Sequence, residues 1–343
     1  MKSTRNKIAL AAIVVIVLAI ASFVNLPIWA IAPGTAQEVS KLITIQGKSN
    51  STSASHILMT DVRLGPVSPL EWLLDKTNSN VQLVPSSEIL GNTPPSSFIP
   101  TQLDEMKQSQ EAATLAALGY LGYNLNLIKG AIVAGIAKVS VVSSLLHPGD
   151  LITGVNGTAV TSAAQLVSVI SKFKPKDSIR ITFIPAAQVA DRASARNPYK
   201  TVSVTLGSRP GDAAKAYLGV SIEDGVSYST PFKVSISTPG IGGPSAGLAF
   251  TLGIIDRLEG GGLTKGNTIA ATGTISPDGA VGDVGGVPQK TVAVERAGAR
   301  LFLVPPQEYK AALSKATPQL KVEEVSTLKQ AVSDVEAFAA ASK

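Results

Sequence analysis

A chain of 343 residues with 45% apolar side chains is long enough for two or three compact units. Thirty basic against twenty-four acidic residues leave a formal charge of +6, spread without a dense Lys/Arg block, which argues against nucleic acid as a partner. Cysteine is absent and the two histidines, His56 and His147, stand far apart, so disulfides and thiolate chemistry are excluded and neither a metal nor a cofactor is expected.

Lys2, Arg5 and Lys7 precede a stretch from Ile8 to Ala32 that carries no charge. At about 1.5 Å rise per residue it can cross a hydrocarbon core of about 30 Å, so residues 1–35 read as a cytoplasmic tip and a transmembrane anchor in contact with membrane lipid. A cleaved signal peptide is the alternative, since small residues end at Ala32 and Ala36. Its apolar region is usually only about 7–15 residues, however, and Pro33 makes the first boundary awkward. The positive flank lies ahead of the span, which puts the amino terminus in the cytoplasm and the body outside.

Residues 36–123 read as a small mixed α/β neck. Short β-rich pieces occur at Leu42–Ile45 and Ile57–Val62, a short helix at Leu70–Leu74, and a strand at Val81–Val84. A Pro/Ser-rich stretch over 93–100 then precedes a helix from Thr101 to about Gly119. His56, without a local acid or second ligand in the sequence, reads as structural.

Residues 124–208 carry a more regular pattern. Ala131–Ile136 is a strand, and Val155-Asn156-Gly157-Thr158 joins two strand fragments through a tight turn that needs positive φ. Thr161 is placed to cap a helix over Ser162–Phe173, whose Leu166, Val169, Ile170 and Phe173 share one face. Strands follow at 178–184 and 201–206, giving a small β domain with one helix. His147 sits in the turn before Asp150 and reads as a loop residue.

The chemistry gathers in residues 209–343. Gly240, Gly242 and Gly243 permit a sharp approach to Ser245, Pro244 restrains the step before it, and an apolar helix runs on from Ser245 to the glycines at 260–262. Ser245 thus stands at a loop-to-helix junction, where Gly243, Pro244 and Ala246 shape the backbone that receives an oxyanion. By itself such a serine is more simply a helix cap.

Lys290 changes that balance. Thr268–Ile275 reads as a strand, Pro277-Asp278-Gly279 as a turn, and a second helix begins near Pro288 with Lys290 in its first turn. There the positive end of the helix disfavours an ammonium, and burial acts in the same direction, so the lysine can serve as a neutral base. Thr272 is the candidate to orient it. Asp256, Asp278 and Asp283 read as structural, with Asp256 facing water, and Lys265 lies in a surface loop.

Two resemblances follow from these motifs. Pro148-Gly149-Asp150-Leu151-Ile152 with Val155-Asn156-Gly157 resembles a PDZ domain, which implies a peptide laid along a strand and the 162–173 helix. A Gly-Leu-Gly-Phe-like carboxylate loop has no clean match; Gly119 to Tyr123 is the nearest segment. Gly-Pro-Ser-Ala-Gly around Ser245, then Thr272-Gly273 and Gly-Gly-x-x-x-Lys ending at Lys290, resemble the proteolytic domain of the Lon family over roughly residues 215–335. That likeness implies a Ser245/Lys290 dyad.

One local departure is Ile241-Gly242-Gly243, where many relatives carry an acidic residue. The whole order resembles the membrane-anchored PDZ and Lon-like proteases of bacteria, the YlbL type. It implies unfolded or flexible protein substrates and a homo-oligomer, a ring of six included. No Gly-x-x-x-x-Gly-Lys-Ser/Thr phosphate loop occurs, so hydrolysis is expected without ATP. The expected architecture is α+β and multidomain, with an anchor, a neck, a PDZ-like domain and a Lon-type Ser/Lys proteolytic domain. The alternative is a peptide-binding scaffold or pseudoenzyme that delivers clients to another protease.

Overall fold

The structure, a computed structural model, describes residues 24–48, 55–138, 140–189 and 198–342. It falls into two units: residues up to Leu121 join Val234 onwards in unit 1, and Gly122–Lys233 form unit 2. Unit 1 opens with β1 (Ile28–Glu38), β2 (Ile43–Ile45), β3 (His56–Pro66), α1 (Pro69–Asp75), β4 (Gln82–Pro85), α2 (Ser86–Leu90) and α3 (Pro95–Tyr120).

Unit 2 supplies β5 (Ile128–Ile136), β6 (Leu151–Val155), β7 (Thr158–Ala159), α4 (Ala163–Ile170), β8 (Ser178–Ile184) and α5 (Ala186–Val189). It continues with β9 (Lys200–Thr205), β10 (Gly207–Arg209), β11 (Asp212–Tyr217) and β12 (Val220–Ser227). The chain then returns to unit 1 through β13 (Val234–Ile236), α6 (Gly247–Leu258), β14 (Thr268–Ala271), β15 (Thr274–Ile275) and β16 (Val281–Gly282). It closes with α7 (Val287–Arg296), β17 (Leu301–Val304), α8 (Tyr309–Leu313), β18 (Lys321–Glu324) and α9 (Leu328–Ala341).

The unit 1 sheet runs β18-β17-β14-β3-β1-β4. Its β14, β17, β18 and β3 pairings are parallel, and β1 pairs antiparallel with both β3 and β4. Parallel strands covered on both faces need continuous apolar runs, and Leu301–Val304 is buried at every position. Leu58, Ala270 and Phe302 point to the face where Val287 and Val294 of α7 pack. Their alternates, Ile57, Ile269 and Leu301, are also buried, and α6 supplies Leu248, Phe250, Leu252, Ile254 and Ile255 with no exposure at all. A helix apolar all round must be enclosed, and α6 lies against α3 as well as against the sheet.

Three expectations are corrected here. The stretch read as an anchor to Ala32 ends sooner, because residues 28–32 belong to β1; residues 1–23 lie outside the described part, and no described helix is long and apolar enough to cross a membrane. An apolar run alone does not separate a buried strand from a helix, and the partners on both sides of β1 decide for the strand. Residues 36–123 are not an independent neck, since β3 pairs directly with β14 and places them in the sheet that carries the C-terminal elements. Finally, α3 begins at Pro95, six residues before the expected start. Proline suits the first turn of a helix, where its missing N–H has no partner to lose.

Unit 2 is an antiparallel sheet, β12-β5-β6-β8-β9, with β7 on β6 and a separate β10-β11 hairpin. Val133, Ile152, Val155, Ile179, Ile181 and Val204 fill its core together with Leu166 of α4. The Asn156-Gly157 turn has φ of 49° and 83°, as the two-residue hairpin requires. The cap of α4 is Ser162 rather than Thr161: Ser162 Oγ accepts from Gln165 N at 3.1 Å, and Thr161 donates to the Gln165 side chain instead. The unit extends to Lys233, beyond the expected boundary at 208.

Candidate active site

Ser245 lies in the loop between β13 and α6, and α3 holds that loop from the side. Gly243 N donates to Gln102 O at 2.7 Å, Ser109 Oγ donates to Pro244 O at 2.9 Å, and Gln110 Nε2 donates to Thr238 Oγ1 at 3.0 Å. The approach is close: a Cβ on Gly242 would stand 2.7 Å from Gln102 Cβ, and Gly243 adopts φ of 86°. Gln102, Ser109 and Gln110 were not legible as site residues, because they stand more than a hundred residues upstream and only the packing of α3 on α6 brings them near.

The loop is fastened from below by β14. Gly273 N and Thr272 Oγ1 both donate to Ser245 O, at 2.9 and 3.1 Å, and Leu248 N donates to Gly273 O at 3.1 Å. Thr272 and Gly273 fall in the break between β14 and β15: Thr272 N still donates to Leu303 O of β17 at 3.0 Å, which leaves the Thr272 hydroxyl and the Gly273 N–H to serve the serine loop. Gly243 and Pro244 therefore position the serine: the N–H of Gly243 is already committed to Gln102, and proline has none to give. The N–H groups of Ser245 and Ala246 make no backbone hydrogen bond among the described residues.

Lys290 is the fourth residue of α7 and is 2% exposed. Its Nζ donates to Thr272 Oγ1 at 3.1 Å, so a single threonine hydroxyl touches both the lysine and the serine backbone. Burial pushes the lysine from its usual 10.5 down to about 7, against the opposing pull of Asp61 and Glu308. Glu308 is itself raised, first by desolvation and then by the charge of Asp283. Ser245 and Lys290 line one cavity of about 690 Å³, with Met59, Met106, Phe98, Ile31 and Val62 giving it an apolar wall. Asp61, Arg63 and Asp283 add charge to that lining.

The remaining candidates fall outside this constellation. His56 Nδ1 lies 2.7 Å from Glu38 Oε1, so a local acid does exist, supplied across the fold by the end of β1. His147 N donates to Asp150 Oδ2 at 2.8 Å and shapes its turn. Asp278 accepts from Ala280 N and from Ser276 Oγ within its own turn. Asp256, expected to face water, is 4% exposed, and its Oδ1 accepts from Ser55 Oγ, Gly262 N and Leu263 N; a carboxylate stitches the glycine-rich loop after α6. Lys265 is exposed in that loop. Among the described residues no group of His, Asp and Glu could hold a metal ion.

Unit 2 contains a second cavity, of about 330 Å³, between α4 and the β11–β12 turn. Leu166, Val167 and Ile170 form its helical wall, and Leu218, Val220 and Ile222 the other. The strand β12 is an edge strand, paired on one side with β5. The nearest expected match to a carboxylate loop, Gly119 to Tyr123, is elsewhere: Gly119 and Tyr120 end α3. The loop that borders the groove is Tyr217-Leu218-Gly219-Val220, with Gly219 at φ of 81°. Its Leu-Gly pair between two β-rich stretches is the signal that could have found it.

Comparison with known proteins finds a family match within unit 1. Residues 235–339 match the family described as Lon protease (S16) C-terminal proteolytic domain. Lon protease 2 of Bacillus subtilis (strain 168) is 29% identical over 138 residues, which is 39% of this chain and 21% of that protein. The chain thus spans about a fifth of the length of this curated relative. The family match supports a protease-type enzyme. Among solved structures, the PDZ domain of an SdrC-like protein from Listeria monocytogenes is 19% identical with a TM-score of 0.22, over 27% of this chain and 86% of that one. The corresponding Listeria innocua domain is 20% identical with a TM-score of 0.23, over 27% and 92%.

Proposed function

We propose that the protein is an ATP-independent serine endopeptidase in which Ser245 is the nucleophile and Lys290 the general base. The observation that carries this reading is a lysine buried to 2% exposure, held by Thr272, in the cavity that Ser245 lines. Neutral Lys290 takes the proton of Ser245 Oγ as that oxygen attacks a peptide carbonyl. The N–H groups of Ser245 and Ala246 stabilise the tetrahedral oxyanion. The lysine ammonium then gives its proton to the leaving amine. Once neutral again, it takes a proton from the water that cleaves the acyl-serine ester, and it returns that proton to Ser245 Oγ.

Extended, flexible segments of unfolded or membrane-proximal proteins are the substrates this cavity suits. Ahead of Leu26, whose N–H is tied to Val67 O in the unit 1 fold, Ile8–Asn25 still offers about 18 uncharged residues, the short end of what a single span needs, with the body outside the membrane. In unit 2, a peptide adding to the free edge of β12 beside α4 would be held by backbone hydrogen bonds, with its side chains in the apolar groove. Assembly into a homo-oligomer, a ring of six included, rests on the resemblance to Lon proteins.

The test is labelling of the purified chain by an acylating serine probe, together with cleavage of an unfolded polypeptide. Wild type labels at Ser245 and cleaves, and Ser245→Ala and Lys290→Ala each lose roughly 10⁴-fold or more of both activities. A wild type that neither labels nor cleaves, in the assembled state, sinks the protease reading. The unit 2 groove favours a second reading, a peptide-binding scaffold; that reading requires Ser245→Ala to retain full function in cells.

A further inference from the structure

Asp61 is half-buried in β3, on the wall of the cavity shared by Ser245 and Lys290. Its carboxylate is fixed at both oxygens: Thr35 N donates to Oδ1 at 2.8 Å, and Thr35 Oγ1 donates to Oδ2 at 2.7 Å. The pairing of β1 with β3 shifts register between Pro33 and Ala36, so Gly34 and Thr35 together oppose Asp61, and Thr35 turns both its N–H and its hydroxyl toward the carboxylate. Gly34 makes this possible, since a Cβ there would stand 1.9 Å from Asp61 Oδ1. A strand bulge and a glycine are thus built around one carboxylate beside a buried lysine.

We propose that Asp61 is a positioning residue for the reaction: its tethered negative charge sets the protonation balance of Lys290 and so the pH at which the dyad becomes competent. This rests on the assignment of Ser245 and Lys290 as nucleophile and base. A purely structural Asp61 would need only its hydrogen bonds, which an amide can reproduce; an electrostatic one needs its charge. The pull of Asp61 on the lysine opposes desolvation. Glu308 acts in the same direction, and Asp283, also on the cavity wall, acts on Glu308. Arg63, further along β3, donates Nε to Pro33 O on the same bulge. Two anions thus keep the amine from falling out of its working range, and Asp61 is the one fixed from both sides.

Asp61→Asn separates charge from shape, because the amide can accept from Thr35 N and donate to Thr35 Oγ1. Removing the anion makes Lys290 easier to deprotonate. The acid limb of the kcat/KM profile moves to lower pH by roughly 0.5 while the alkaline plateau stays within about twofold. Because Asp61 is half-exposed, raising the salt concentration moves the wild-type limb in the same direction and the variant limb much less.

The Nζ chemical shift of Lys290, followed by NMR across the same pH range in the Ser245→Ala background, reports the lysine without any need for turnover. Its midpoint falls in Asp61→Asn. This separates the two proposals: loss of probe labelling in wild type overturns the dyad, whereas superimposed lysine titrations overturn Asp61. Should Asp61→Asn not fold, Thr35→Val keeps the charge but cuts one tether, and a smaller shift to lower pH is expected. No shift in Thr35→Val then counts against the proposal.

Discussion

Lys290 in unit 1 and Asp150 in unit 2 are each 2% exposed, yet the two buried ionisable groups are treated in opposite ways. Asp150 is saturated by its own neighbourhood: Oδ1 accepts from Ala186 N at 2.8 Å, and Oδ2 from His147 N at 2.8 Å. Lys290 has three protons to donate when charged, and Thr272 Oγ1 is its one hydrogen-bond acceptor among the described residues. A buried charge with its hydrogen bonds filled holds a loop together. One left nearly bare costs stability and is driven toward its neutral form, which is what a general base requires.

The largest expected effect on this contrast comes from Lys290→Met. The folded state holds the lysine at about 7 against 10.5 in the unfolded chain, so between these values the unfolded state binds the extra proton and stability rises with pH. Below pH 7 both states carry the proton, and the folded protein bears the full cost of the buried ammonium. Lys290→Met should therefore stabilise the protein at pH 6 by on the order of 3 kcal/mol, with the advantage shrinking toward pH 10. Thermal unfolding at the two pH values measures it. An equal effect at both would mean that the lysine is not the bare charge described here.

Asp150→Ala should act in the opposite sense, destabilising unit 2 by about 1–3 kcal/mol because the N–H groups of Ala186 and His147 lose the buried carboxylate that holds them. Denaturant unfolding followed through Tyr217 and Tyr228 fluorescence in unit 2 reads this out, and a change below 1 kcal/mol would equate Asp150 with a surface residue. The smallest effect is expected for Ser109→Ala. Losing its bond to Pro244 O costs about 1 kcal/mol of stability and, by loosening the serine loop, about tenfold in kcat with little change in KM. If KM rises instead while kcat holds, Ser109 contributes to substrate binding rather than to positioning the nucleophile.

Much of this was legible in local pattern. The strands at 178–184 and 201–206, the Asn156-Gly157 turn and the apolar helix after Ser245 were readable because periodicity and turn chemistry act over a few residues. The Ser245/Lys290 pair stood out because glycines that allow sharp turns and a proline that fixes φ stand beside each. Less legible were the strand at Ile28–Glu38, hidden inside an apolar run that reads equally well as a helix, and the early start of α3 at Pro95. The environment of Asp256 was misread for a similar reason, since its buried partners lie in other segments: Ser55 from before β3 and the loop after α6.

The sequence by itself determined the chemical inventory: no thiol, no histidine pair, and a serine and a lysine each set near the start of a helix. It also contained the short-range rules that make those helices. Tertiary structure alone decided that residues on both sides of unit 2 share one sheet, and that α3 grips the serine loop. It also decided that Thr272 joins the Ser245 backbone to Lys290 and that Asp61 lines the cavity that Lys290 lines. The physical reason is range. Propensity and capping are set by neighbours in sequence, whereas desolvation, and with it the protonation of a buried amine, depends on every segment that packs around it.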